Sequence, residues 1–288
     1  MPDFDDRDGL IWMDGQMRAW RKANLHVLTH SLHYGSAVFE GERAYSGTVF
    51  RLHDHSKRLI ESARLAGYQI PWSAEEIDQA TKDVLEAEGH DDAYIRPIAW
   101  RGSTEMGLAA RRNTIHLAIA CWEWPSYFSY EQRMKGLKLA WANWRRPSPE
   151  TAPVHSKMGG LYAICTMAKH AAEDQGFDDA LFLDYRGLVA EATGANVFFV
   201  IDGDLHTPKP DCFLDGLTRQ SVIELAREAG LEVIERHIEP AELERASEAF
   251  LTGTAAEVTP IRQIGSHHFT PGNLSLSLIN AYDKLVRS

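Results

Sequence analysis

With 288 residues, 44% of them hydrophobic and 25% charged, the chain has room for one large domain or two ordinary ones, and its balance excludes disordered and fibrous classes. A formal net charge of -11 argues against a groove that neutralises nucleic-acid phosphates, yet it leaves open a locally basic pocket for a small anion. The acidic start, MPDFDDRDGL, is neither a secretory signal nor a transit peptide, and no apolar run has the length to cross a bilayer.

In chain order, Asp14-Gly15 between two apolar runs predicts a hairpin, and Ser46-Gly47 predicts a second. A helix is expected over residues 54–66, stopped by Gly67. Ser73 with Glu76 three residues on is a capping-box pattern, opening a helix that ends near Gly89. Ile115, Leu117, Ile119 and Cys121 alternate with smaller or polar residues and read as a strand, as do residues 137–144. The aromatic, proline-bearing stretch from Glu123 to Tyr130 is the expected connection, giving domains 1–130 and 131–288. Beyond it come a helix over 159–173, strands over 180–185 and 196–201, and a hairpin turn at Asp202-Gly203. A helix over 217–229, with Thr218 near its start and Gly230 after its end, precedes strands over 231–237 and 249–252 and a closing helix from about Leu274. Strands in hairpins with helices between them predict α+β rather than a doubly wound parallel sheet. There are no repeats or low-complexity tracts, and Cys121, Cys165 and Cys212 lack paired spacing, as expected of free, buried thiols in a reducing cytoplasm.

A few places carry groups suited to chemistry. Lys157 sits in Ser156-Lys157-Met158-Gly159-Gly160, where glycines let a ligand or another backbone approach, and Tyr162 follows closely. Glu191 is a lone carboxylate among small and apolar residues before a hydrophobic strand. It reads either as a turn or ion-pair residue, or as a buried anion holding a cationic ring. Asp215-Gly216-Leu217-Thr218-Arg219 opens a helix whose N–H groups suit phosphate, and Gly253-Thr254-Ala255-Ala256 offers a second hydroxyl-bearing turn. His26, His30 and His33 have helical spacing, but no HExxH motif or nearby acid supports a metal, and none is expected. His53-Asp54-His55 reads as a turn. No G-x-S-x-G elbow, Walker loop or Rossmann glycine fingerprint is present.

Taken in order, these segments resemble the class IV aminotransferases, the pyridoxal 5'-phosphate (PLP) enzymes of fold type IV. The resemblance is most specific over Glu191-x-Thr193-x-x-Asn196-Val197-Phe198, Leu205-x-Thr207 and Leu214-x-Gly216-Leu217-x-Arg219. Within the class, His33-Tyr34-Gly35, Val38-Phe39-Glu40-Gly41, Tyr94-Ile95-Arg96-Pro97 and the run from Gly253 to Pro260 are most similar to branched-chain amino-acid aminotransferases. Val154-His155-Ser156 before the lysine and Ala109-Ala110-Arg111-Arg112 after Met106-Gly107-Leu108 depart from that pattern.

The resemblance implies two α+β domains with PLP in the interdomain cleft and a homodimer or a multiple of one. It assigns Lys157 as the catalytic lysine of the internal aldimine, Glu191 to the pyridine nitrogen, and Tyr162 to the cofactor's phenolic oxygen. Arg58, Leu217, Thr218 and Thr254 become phosphate contacts. Tyr34, Phe39, Tyr94, Arg96, Trp124, Thr254 and Ala255 shape the substrate pocket, with Tyr34 reaching across the dimer interface. The implied reaction moves the amino group of L-leucine, L-isoleucine or L-valine to 2-oxoglutarate in the cytoplasm, with no nucleic-acid or membrane partner. The alternatives are a D-amino-acid or R-selective amine transaminase of the same fold, an aminodeoxychorismate-type lyase, and a binding protein that kept the fold without the chemistry.

Overall fold

Two strands joined by Asp14 and Gly15, both at positive φ (51° and 87°), open the chain: β1 (Leu10–Met13) and β2 (Gln16–Ala19). The computed structural model describes residues 3–124 and 134–288. Residues 3–124 with 156–161 form one compact unit, and 134–155 with 162–288 a second. The connection expected around residue 130 lies outside the described residues.

The first unit holds one antiparallel sheet, ordered β2-β1-β7-β6-β4-β5. Its members are β3 (Val38–Phe39), β4 (Glu42–Tyr45), β5 (Thr48–Val49), β6 (Ala93–Arg101) and β7 (Ile115–Glu123), with β3 and β4 both pairing β6. The expected hairpin at Ser46-Gly47 joins β4 to β5. Strand β6 is not among the elements expected from sequence, because Pro97 lies in its middle. Pro97 is tolerated because its carbonyl faces the break between β3 and β4, accepting from Glu40 N at 2.8 Å. In an antiparallel strand a residue's N–H and C=O point to the same side, so the missing donor costs no bond to β7.

A short helix α1 (His30–Tyr34) precedes β3, and α2 (Leu52–Leu65) and α3 (Ala74–Glu88) cover the sheet. The capping box on α3 forms as the sequence predicts: Ser73 Oγ accepts from Glu76 N, the Glu76 carboxylate accepts from Ser73 N, and Gly89 closes the helix in the left-handed conformation. Leu59 and Ala63 of α2 and Ile77 and Val84 of α3 bury their side chains against Ile95, Leu117 and Ile119.

The second unit is built on a sheet ordered β10-β9-β8-β15-β14-β11-β12-β13. Its strands are β8 (Leu137–Arg146), β9 (Asp179–Asp184), β10 (Val189–Ala192), β11 (Asn196–Ile201), β12 (Asp204–Pro208), β13 (Val233–Arg236), β14 (Ala246–Gly253) and β15 (Glu257–Ile264), with β16 (His267–His268) beside β15. Most pairs are antiparallel, but β8 runs parallel to β9 and β15, and β12 to β13. Leu139 and Leu181 point to one face, and Ala140 and Phe182 to the other against Cys165 and Ala168. Burial on both faces explains why β11 reads NVFFVI without polar alternation.

Three helices complete this unit: α4 (Ala163–Glu173), α5 (Leu217–Glu228) and α6 (Asn273–Leu285). The helix expected over 159–173 is divided. Gly159–Tyr162 is a 3-10 turn whose first N–H groups pair with another segment, Gly159 N donating to Ala37 O (2.7 Å) and Gly160 N to Gly35 O (2.9 Å), and regular helix starts at Ala163. Among the described residues no helix is long and apolar enough to cross a membrane.

Candidate active site

The first unit gathers a charged group and an aromatic group. Glu40 occupies the break between β3 and β4, fully buried, with His55 and Arg58 presented to it from α2. Arg58 donates from Nε (2.7 Å) and a terminal nitrogen (2.8 Å), His55 Nδ1 lies at 2.7 Å, and Gly41 N donates at 3.2 Å. Burial alone pushes a carboxyl up, but Arg58 and His55 together hold Glu40 well below the usual range. Burial pushes His55 down despite Glu40, so its ring is neutral and its Nδ1 carries the proton donated to the carboxylate. His53-Asp54-His55, which reads as a turn from sequence, is instead the opening of α2, and His55 belongs to this group. Glu40 stands in the sequence only as one letter of a motif. The signal available was His55-x-x-Arg58, one face of a helix, aimed at a nearby acid.

Beside this group stand Phe39, Tyr94, Arg96, Trp124 and Lys157. Two cations approach Phe39: Lys157 Nζ lies 5.1 Å from its ring centre and the Arg96 guanidinium 4.9 Å from it. Arg96 also donates to Tyr94 Oη (3.0 Å), and the Tyr94 ring packs 5.1 Å from both Trp122 and Trp124. Glycine is required at position 41, where a Cβ would overlap the Tyr94 hydroxyl. Tyr34 is half-exposed at the end of α1, with its hydroxyl donating to Met106 O at 3.1 Å.

The second unit holds a group of opposite sign. The Glu191 carboxylate on β10 lies 3.2 Å from Nε of the buried Arg146 at the end of β8, and Asn196 Nδ2 donates to its other oxygen at 3.3 Å. Arg146 also donates to Cys165 Sγ at 3.4 Å. Asn196 reaches further, donating to Leu214 O (3.0 Å) and accepting from Gly216 N (3.1 Å). Gly216 caps α5 with no side-chain partner, and any Cβ there would strike Asn196 Oδ1. One asparagine thus ties Glu191 to the helix start that carries Leu217 and Thr218. At the β14 end, Gly253 packs so closely on Gly194 and Ala195 that a Cβ would come within 3.3 Å of both, which brings the Thr254-Ala255 turn beside the same strand end. Tyr162 borders a small cavity with Cys165, Thr166, Lys169 and Thr193. Arg146 was not legible in sequence, being distant from Glu191 along the chain, and Asn196, present in the motif, showed no sign of its reach to Leu214 and Gly216.

Each of the three histidines weighed as ligands has one ring nitrogen engaged with backbone: His30 Nε2 with Gly107 O, His33 Nε2 with Val27 O, and His26 Nδ1 accepting from Leu28 N.

A buried arginine steadying a carboxylate, a helix start with no side-chain cap, and a lysine beside an arginine-lined aromatic wall are groups an amino-transfer enzyme can use. The amino-transferase class IV family matches this chain over residues 37–264. The chain belongs to the class IV aminotransferases. It is 41% identical to the branched-chain-amino-acid aminotransferase of Pseudomonas aeruginosa, over 98% of this chain and 94% of that one. In structure it is similar to the T.th. branched-chain amino acid aminotransferase with pyridoxamine 5'-phosphate, at TM-score 0.95 and 39% identity over 98% and 96% of the two chains. It is also similar to the branched-chain aminotransferase of Thermoproteus uzoniensis with norvaline, at TM-score 0.93 and 36% identity over 98% and 95%. The α+β, fold type IV architecture expected for this aminotransferase is the one observed.

Proposed function

We propose that this aminotransferase uses PLP on Lys157 to move the amino group of L-leucine, L-isoleucine or L-valine to 2-oxoglutarate. The residues present fit the cofactor. Glu191 is oriented by Arg146 and Asn196, Arg58 is steadied by Glu40, and the start of α5 has no side-chain cap of its own. Beside the Thr254 turn, the buried Thr252 hydroxyl has no hydrogen-bond partner among the described residues. When bound, PLP supplies a carbonyl carbon that condenses with amines and a ring that accepts electrons.

The chain's own groups do the rest. Lys157 Nζ would hold the cofactor, and its amine would take and return the proton at the substrate α-carbon. Glu191 holds a proton on the pyridine nitrogen, with Tyr162 at the phenolic oxygen. Arg58, Leu217, Thr218 and Thr254 share the phosphate charge.

The observation that carries the substrate reading is the Phe39 ring, approached by both Lys157 Nζ and the Arg96 guanidinium. Close to the reacting amine, the chain thus offers a ring for a branched aliphatic side chain and a cation for glutamate's second carboxylate. Burying a leucine side chain there is worth about 1.5–3 kcal/mol. Tyr34, Tyr94, Trp124 and Ala255 complete the proposed pocket. The branched-chain names of the relatives support this reading over a D-amino-acid or R-amine transaminase.

Assembly as a homodimer, or a multiple of one, is part of the proposal. Leu25, Val27, Leu28, Leu32, Tyr34 and Leu108 are all exposed, and His30 and Tyr34 bond Gly107 O and Met106 O, so α1, the segment before it and the loop between β6 and β7 present one apolar patch. Three free, buried cysteines suit the reducing cytoplasm proposed for it.

The substrate reading is tested with Arg96→Ala. Losing a charge-assisted pair should weaken reaction with glutamate roughly tenfold to a hundredfold more than with leucine, about 1.5–3 kcal/mol. Equal losses on both substrates would make Arg96 a structural or α-carboxylate residue. Sedimentation analysis tests the assembly: a fully active monomer would refute it and remove Tyr34 from the pocket.

A further inference from the structure

The lysine segment is held from two sides, and only one of them is a sheet. On one side it lies along the β3 backbone: Phe39 N donates to Lys157 O at 3.1 Å, Val38 bridges to Met158, and Gly159 N donates to Ala37 O. On the other side is Ser62, a fully buried residue of α2. Ser62 Oγ accepts the Lys157 backbone N–H at 3.0 Å, and Ser62 O accepts the Ser156 hydroxyl at 2.8 Å. Ser62 is four residues after Arg58, so the two occupy adjacent turns of one helix face.

This makes α2 a ruler. One turn of helix fixes the spacing between the guanidinium held by Glu40 and the backbone of Lys157, and a helix turn does not stretch. Hydrophobic packing of Leu59 and Ala63 anchors the same stretch to the core. We propose that Ser62 is a positioning residue that sets the Lys157 amine against the phosphate-binding Arg58. The proposal rests on the reading in which Lys157 carries the cofactor and Arg58 its phosphate. Ser62 touches neither substrate nor cofactor; it acts by holding the lysine's peptide, with the Ser156 hydroxyl as a second tie.

The test compares holoenzyme with Ser62→Ala, Ser156→Ala and Ser56→Ala, the last removing another fully buried hydroxyl of α2. Ser62→Ala removes the hydroxyl that accepts the Lys157 N–H, so amide exchange across residues 156–160 should quicken about tenfold or more. The pH midpoint of the lysine–cofactor absorption band should shift, and kcat should fall about tenfold while KM for leucine changes little. Ser156→Ala should move the same readouts in the same direction by less and keeps the question open to measurement if Ser62→Ala misfolds. Ser56→Ala should move none of them. Unchanged exchange and band midpoint in both Ser62→Ala and Ser156→Ala would overturn the proposal, as would equal changes in Ser56→Ala. Borohydride reduction and peptide mapping separate this from its premise. An adduct on another lysine removes the Lys157 reading and this proposal with it; an adduct on Lys157 with unchanged readouts removes the proposal alone.

Discussion

The two units solve the same electrostatic problem with opposite signs. In the first, a wholly buried acid, Glu40, lies beneath a more accessible arginine, Arg58, whose side chain is 17% exposed. In the second, a buried arginine, Arg146, lies beneath a more accessible acid, Glu191, at 4% against 12%. Each pair offers the charge that its proposed partner lacks: a cation for a phosphate, an anion for a protonated ring. The hidden member of each pair holds the presented one in place, and in the proposed function the presented member meets the cofactor. A charge left alone in such a place would shift its pKa and neutralise, so the concealed counterion is part of the site.

Removing the concealed member where it is most deeply buried should do the most damage. Glu40→Gln leaves Arg58 and His55 without their carboxylate, and breaking a buried pair costs about 3–5 kcal/mol. The expected outcome is a large fall in denaturant midpoint together with weaker PLP retention. A variant as stable as wild type would show that the Glu40 group is not held as described.

The presented acid should behave differently. Glu191→Gln is expected to preserve the fold and some cofactor binding but to slow the amino half-reaction about a hundredfold, near 3 kcal/mol of barrier. Stopped-flow absorbance would check it, and near-normal turnover would reduce Glu191 to a structural residue.

How far this contrast could be read beforehand depended on sequence distance. The turns at Asp14-Gly15, Ser46-Gly47 and Asp202-Gly203 and the Ser73–Glu76 box were legible because their chemistry closes within four residues. Lys157, Arg58 and Glu191 were singled out by a resemblance over ordered motifs, which assigns the roles proposed for them. Their concealed partners were not: Glu40 lies 18 residues from Arg58, and burial, which makes His55 neutral, is invisible in a linear string. Strand β6 was hidden for a local reason, Pro97, whose acceptability depends on a break in the neighbouring strand. The pairing of Gly159 and Gly160 with Ala37 and Gly35 was also tertiary, since it joins segments far apart in the chain.

A smaller effect sharpens the first unit's half of the comparison. Glu42 is fully buried two residues from Glu40, and among the described residues neither of its oxygens has a hydrogen-bond partner. Burial, with Glu40 and Asp78 nearby, pushes its carboxyl well above the usual range, and Arg58 opposes this only in part. The folded state therefore keeps a proton that the unfolded chain releases near pH 4.3. Above that pH the folded state binds more protons, so stability falls as pH rises toward the folded-state pKa. Glu42→Gln should remove this slope, and its advantage in melting temperature over wild type should grow between about pH 5 and about pH 8. A pH-independent difference would contradict the assignment. Smallest of all, Ser73→Ala should cost about 1 kcal/mol through the lost cap of α3 and leave turnover unchanged; altered kinetics would mean that α3 bears on the site.

Amino transfer by a PLP-loaded Lys157 on branched-chain L-amino acids is tested most directly by a single half-reaction followed in the cofactor's own absorbance. Adding L-leucine to the purified holoenzyme should abolish the lysine–cofactor band, 2-oxoglutarate should restore it, and D-leucine should leave it unchanged. A band indifferent to L-leucine but abolished by D-leucine or an R-amine would contradict the account.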